Sequence, residues 1–159
     1  MIDAILIGAG ATAVLDVWSA ARAKLFGVTQ PDYGLVGRWL AHMTRGQFFH
    51  TSITKSAPVT GERVIGWIAH YLTGIAFAAV LLILWGDAWA QRPTLIPALI
   101  VGIGSVAAPF LLMQPGMGAG IAASRTPDPP AARLRSLITH AVFGVGLYAA
   151  GWAARLLTF

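Results

Sequence analysis

Val64 to Trp85 reads VIGWIAHYLTGIAFAAVLLILW, a run without Asp, Glu, Lys or Arg, set between Glu62-Arg63 and Asp87. About 20 apolar residues rising 1.5 Å each cross a hydrocarbon core of roughly 30 Å, so this run is long enough to span a bilayer as a helix. Ile2 to Ala21, Leu95 to Met113 and Leu137 to Leu157 meet the same condition. The alternation that a barrel strand needs is missing, and in lipid each segment must pair its own backbone polar groups, so all four runs are expected to be helical. The expected fold is all-α: an integral membrane four-helix bundle, one transmembrane domain over residues 1–159. Its helices fall at about 2–24, 64–86, 95–113 and 134–157, with loops at 25–63 and 114–133.

Composition points the same way. Hydrophobic residues make up 57% of the chain and charged residues 11%, against roughly a quarter charged in soluble domains. The lipid bilayer is therefore the expected solvent and partner. The absence of cysteine removes disulfides, iron-sulfur clusters and thiolate zinc sites, leaving His, Met, Asp and Gln as candidate metal ligands. In a soluble chain the basic excess would suggest nucleic acid, but here the basic residues sit in loops beside apolar spans, so no nucleic acid is expected. Asp3 precedes the first apolar run and no Lys or Arg does, the opposite of a secretory signal's basic start, so the run reads as a retained first helix.

The basic residues also orient the chain. Arg22, Lys24, Arg38, Arg45, Lys55, Arg63, Arg125, Arg133 and Arg135 fall on the side of the first and third loops, and only Arg92 and Arg155 on the side of the termini. By the positive-inside rule those two loops are cytoplasmic and both termini lie outside, which sets Trp85, Trp89 and Trp152 near the outer interface. Shifted by 70 positions, Arg63, Ile68, His70 and Gly74 coincide with Arg133, Ile138, His140 and Gly144. Shifted by 94, Gly8 and Gly10 coincide with Gly102 and Gly104. The chain thus reads as a duplicated helical hairpin, a parallel repeat about an axis along the membrane normal. Small residues recur every fourth position, at Gly66, Gly74 and Ala78 on the second span and at Ser136 and Gly144 on the fourth, which lets helix backbones approach. Pro109 is expected to kink the third span.

Three ionisable groups share one level. Asp16 lies six residues in from Arg22, His70 seven from Arg63, and His140 five from Arg135, depths of roughly 9, 10 and 8 Å. On the third span this level falls near Met113 and Gln114. Such groups normally face the bundle interior with a partner. Asp16, His70, His140 and Gln114 are thus a candidate site for a cation, proton or small polar ligand. The same residues also serve as interhelical hydrogen-bond glue. A third reading is a metal or haem b site with His70 and His140 as ligands, extended by Met113 or Met117.

The third loop is the most unusual stretch, QPGMGAGIAASRTP from Gln114 to Pro127. Gly116, Gly118 and Gly120 beside Arg125 have the makings of an anion nest, or of a close-packed turn that needs glycine for its backbone angles. In the first loop, Tyr33 to Met43 sets Leu35, Trp39, Leu40 and Met43 on one face and Arg38 and His42 elsewhere, the pattern of a short interfacial helix. His42 and His50 read as solvated or capping residues rather than ligands.

Gly10-Ala11-Thr12 with Asp16 and Trp18, Gly37-Arg38-Trp39 with His42, His70-Tyr71, and above all the Gln114–Pro127 stretch resemble the bacterial inner-membrane family catalogued as domain of unknown function 2938. The resemblance covers nearly the whole chain and implies an inner-membrane protein of several helices. It brings no activity, cofactor or catalytic residue. The expectation is a small bundle, self-associating or a subunit of a larger membrane complex, that binds or passes a cation or small polar ligand. The alternatives are a metal or haem redox protein and an assembly subunit without chemistry.

Overall fold

Long apolar runs in lipid can satisfy their backbone only by helical pairing, and the four runs of this chain do so. The computed structural model describes residues 2–158. Among them there is no strand, and five helices carry the fold: α1 Ile2–Phe26, α2 Tyr33–Met43, α3 Glu62–Gln91, α4 Leu95–Met117 and α5 Pro129–Thr158. Four of them, α1, α3, α4 and α5, are long and apolar enough to cross a membrane. Their outward surfaces are apolar as well: Ile83 and Leu84 on α3 and Ile96, Leu111 and Leu112 on α4 are exposed. Water would penalise so continuous an apolar exterior, whereas lipid tails would not. The fold is consistent with a multi-pass membrane protein.

Two of the long helices are interrupted where the sequence demands it. Gly86 has a φ of 68°, a left-handed setting open to glycine, and α3 resumes beyond it to Gln91. In α4 the regular turns of Leu95–Gly104 end in a turn at residues 105–106. Pro109, lacking an amide proton, then opens a π-helical turn, Pro109–Met113. The disturbance expected at Pro109 takes that form.

The residues group into two units. The first comprises the chain up to Pro31, Tyr71–Ser105, and the chain from Ile138 on. Its core includes Ile7, Ala11, Leu81, Trp89, Phe143 and Leu147. The helices touch through glycine: a Cβ on Gly8 would run into the backbone of Ile75, and one on Gly102 into the backbone of Gly144. Trp89 is buried in this core and donates its Nε1 proton to the Thr94 carbonyl at 3.0 Å. The break at Gly86 precedes this packing, and the indole proton is satisfied by backbone. At helix ends, Arg22 lies 6.0 Å over the Trp18 ring and Arg155 5.1 Å over that of Trp152, cation–π contacts that suit an amphipathic boundary.

The second unit comprises Asp32–His70 and Val106–Leu137. The short helix read from the sequence forms with the same ends, capped by the Asp32 carboxylate accepting from the Gly34 amide at 2.9 Å. Its buried residues are Gly34, Gly37, Trp39 and His42, so the face that packs is the small one and only Trp39 comes from the expected apolar face. A Cβ on Gly37 would run into the Glu62 carbonyl, and one on Gly66 into that of Tyr33. Paired glycines thus let α2 and the start of α3 meet backbone to backbone.

Candidate functional site

In the first unit two of the spans' ionisable residues, Asp16 and His140, are hydrogen-bonded between helices. The Tyr71 hydroxyl donates to Asp16 Oδ2 at 3.0 Å, joining α3 to α1. The Ser105 hydroxyl donates to the Gly102 carbonyl at 2.6 Å and lies 2.6 Å from His140 Nδ1. A hydroxyl has one proton, so with that proton on Gly102 the imidazole must donate from Nδ1. Neutral His140 is then the Nδ1–H tautomer, with Nε2 as its acceptor. His70 belongs to the second unit, where its ring stacks on Tyr33 at 4.1 Å between centroids, beside Trp67 at 5.8 Å. Among the described residues no group of three or more His, Asp or Glu is placed to hold a metal ion.

The second unit holds a denser polar constellation, built on α2. Arg38 forks onto Glu62, Nε to Oε2 at 2.8 Å and Nη2 to Oε1 at 2.7 Å, and its Nη1 reaches the carbonyls of Ile53 at 3.3 Å and Ser56 at 3.1 Å. The Glu62 carboxylate also accepts from the Val59 amide at 2.8 Å. One guanidinium therefore ties α2, the turn at 53–56 and the start of α3 together. The hydrogen bond and charge of Glu62 raise the Arg38 pKa above its ordinary value against the opposing pull of burial. The fork geometry is one that only Arg provides.

One turn further along α2, the structure corrects the reading of His42 and His50. They are neither solvated nor capping: His42 is 6% exposed and His50 7%. Nδ1 of His42 lies 2.8 Å from Nε2 of His50. The outer nitrogens face carbonyls, His42 Nε2 that of Ala57 at 3.1 Å and His50 Nδ1 that of Gly116 at 3.2 Å. The His50 amide also donates to the Gly116 carbonyl at 2.8 Å. Individual polar residues of a first loop look solvated in sequence because the partner, Gly116, is 66 positions away. The available signal was the four-residue spacing of Arg38 and His42, which sets both on one helical face.

The third loop is shaped by its glycines. Gly118, at φ 97°, ends α4, its amide bonding the Pro115 carbonyl while the Ala119 amide bonds that of Gln114. Those two amides are committed to closing the helix, so an anion here would be met by Arg125. Gly116 accommodates the Trp39 indole, Gly118 approaches the Thr51 carbonyl, and Gly120 lies against Ser124 and Arg125. Beyond them Ala122 and Ala123 adopt φ of 47° and 58°, rare for residues with a Cβ. The Arg133 guanidinium donates to the Ala122 carbonyl at 2.8 Å.

Between this loop and the 51–54 turn lies a pocket of about 480 Å³. Met113, Gln114, Met117, Gly118 and Arg125, all singled out in the sequence, line it together with Thr51. The Gln114 Oε1 atom is buried and has no hydrogen-bond partner, a costly arrangement for an amide. Arg125 is exposed at the same pocket.

All-helical among the described residues, with four helices able to cross a membrane and a largely apolar pocket beside the third loop, the chain has the architecture of a multi-pass membrane protein. The chain matches the family described as protein of unknown function (DUF2938) over residues 5–154 and belongs to it. Comparison with curated proteins and with solved structures gives no match.

Proposed function

We propose that this is a multi-pass protein of the bacterial inner membrane that binds a small amphipathic ligand bearing an anionic group at the third-loop pocket. The observation that carries this reading is the buried, unpartnered Gln114 Oε1 at a pocket that also presents Arg125. An orphaned acceptor asks for a donor, and a guanidinium asks for an anion. A ligand with a phosphate or carboxylate beside a hydroxyl or ammonium answers both, and the methionines offer adaptable apolar contact. The basic bias of the first and third loops supports a cytoplasmic position for the pocket, with both termini outside. A bundle this small supports self-association or membership of a larger complex if the ligand is to be passed rather than held.

Calorimetry on the detergent-purified protein tests this, with inorganic phosphate and dihexanoyl phosphatidylethanolamine as probes. Binding of the lipid but not of phosphate identifies a headgroup with its apolar part, and binding of both identifies the anion alone. Arg125→Ala should weaken binding roughly tenfold or more, the scale of one charge-assisted hydrogen bond. Gln114→Leu should weaken the lipid more than phosphate. Failure of both probes, or undiminished binding to Arg125→Ala, rejects the reading.

A second reading concerns Asp16, His70 and His140. The Tyr71 bond to Asp16 and the Ser105 bond to His140 favour interhelical packing over transport as the task of the polar groups within the spans.

A further inference from the structure

The two histidines of the second unit present a hydrogen-bonding problem with one solution. A carbonyl oxygen only accepts, so His42 Nε2 facing Ala57 and His50 Nδ1 facing Gly116 must both carry protons. A neutral imidazole has one N–H. With those protons on the outer nitrogens, the inner nitrogens of two neutral rings would be two lone pairs opposed at 2.8 Å. That is a hydrogen-bond distance, and lone pairs held there without a proton repel.

We propose that His42 and His50 form a one-proton binding site, in which a single proton is held between Nδ1 of His42 and Nε2 of His50 and the pair carries one positive charge. With it, all four ring nitrogens are satisfied, as burial of both side chains demands. The charged groups on the surrounding elements are Asp32 at the cap of α2, Arg38 on α2, Arg45 in the turn after it, Lys55 on the adjoining turn, Glu62 and Arg63 at the start of α3, and Arg125 on the third loop. Arg45, Lys55, Arg63 and Arg125 are exposed, and Arg38 is matched by its fork with Glu62. The Glu62 carboxylate also interacts electrostatically with His42, an attraction it shares with its stronger pairing to Arg38. Without that proton two N–H groups remain for three contacts, so a tautomer shift or a turn of one ring gives up the bond to Ala57 or to Gly116. Since Gly116 sits in the last turn of α4, at the entry to the third loop, proton occupancy adds the His50 ring to the His50 amide in holding the 47–57 segment against that turn. The site stands on ring geometry alone and does not depend on the ligand pocket.

The test uses the intact chain in detergent micelles, labelled with nitrogen-15 at histidine, and followed by NMR across the range in which an unperturbed imidazole titrates. The expected result is a through-hydrogen-bond nitrogen–nitrogen coupling between His42 Nδ1 and His50 Nε2, with one proton taken up by the pair. His42→Gln and His50→Gln should each abolish that coupling. Independent uptake of one proton by each ring, or absence of the coupling at every pH, overturns the proposal from the wild-type spectra alone, whether or not the variants fold.

Discussion

Arg38 shows how much a single side chain can organise. It bonds Glu62 twice and two carbonyls besides, so Arg38→Lys, which keeps the charge but loses the planar fork, should lower the melting temperature in detergent. Tyr71→Phe removes the hydroxyl that bonds Asp16 and should cost about 0.6 kcal/mol and no more than roughly 1.7, the range of interhelical hydrogen bonds in membranes. Thermal melts of the two variants side by side check both, with Arg38→Lys expected to show the larger drop. Sequence spacing singled out Asp16, His70 and His140 by depth, yet it offered no sign of Tyr71 or Ser105 as partners. Depth is a property of one helix, whereas partnership depends on how helices are rotated against each other, and no periodicity records that.

At the scale of elements, glycine decides which helices approach. Gly37 and Gly66 meet in the second unit, and Gly8 and Gly102 press on α3 and α5 in the first. Gly37→Ala would force a methyl group into the Glu62 carbonyl and should destabilise by about 1–3 kcal/mol, the cost of overpacking. Gly118→Ala meets a φ of 97° as well as the Thr51 carbonyl, so it should lower stability by a further route, backbone strain of order 1–3 kcal/mol. Denaturant titration followed by tryptophan fluorescence measures both. Helix α2 was legible from the helical spacing of Leu35, Trp39, Leu40 and Met43, including its ends. Its buried face was not, because glycine contributes contact through the absence of a side chain and so leaves no mark on an apolar stripe.

For the whole molecule, the all-helical class and the four apolar helices were readable from run length alone, since the bilayer fixes how long a spanning helix must be. The proposed topology makes a prediction at this scale. The chain has no cysteine, so single substitutions need no prior background removal. Thr126→Cys and Arg92→Cys in intact cells should react oppositely with a membrane-impermeant maleimide, Arg92→Cys labelled and Thr126→Cys protected until the cells are opened. Equal labelling of both would overturn the assigned orientation. The third loop stood out in the sequence by its glycines, but its pocket did not, because a third of its lining residues come from the 51–54 turn, a stretch whose Thr and Ser have no recognisable spacing.

The left-handed pair Ala122 and Ala123 gives this loop a further property. A methyl-bearing residue in that conformation sits uphill, and two in succession sit further uphill, so the segment is wound against its own preference and latched by Arg133. Cutting the latch with Arg133→Ala should let the coil relax, exposing the chain near Ser124 to proteases that leave the parent intact. Ala122→Gly should do the reverse, easing the winding without loosening the latch.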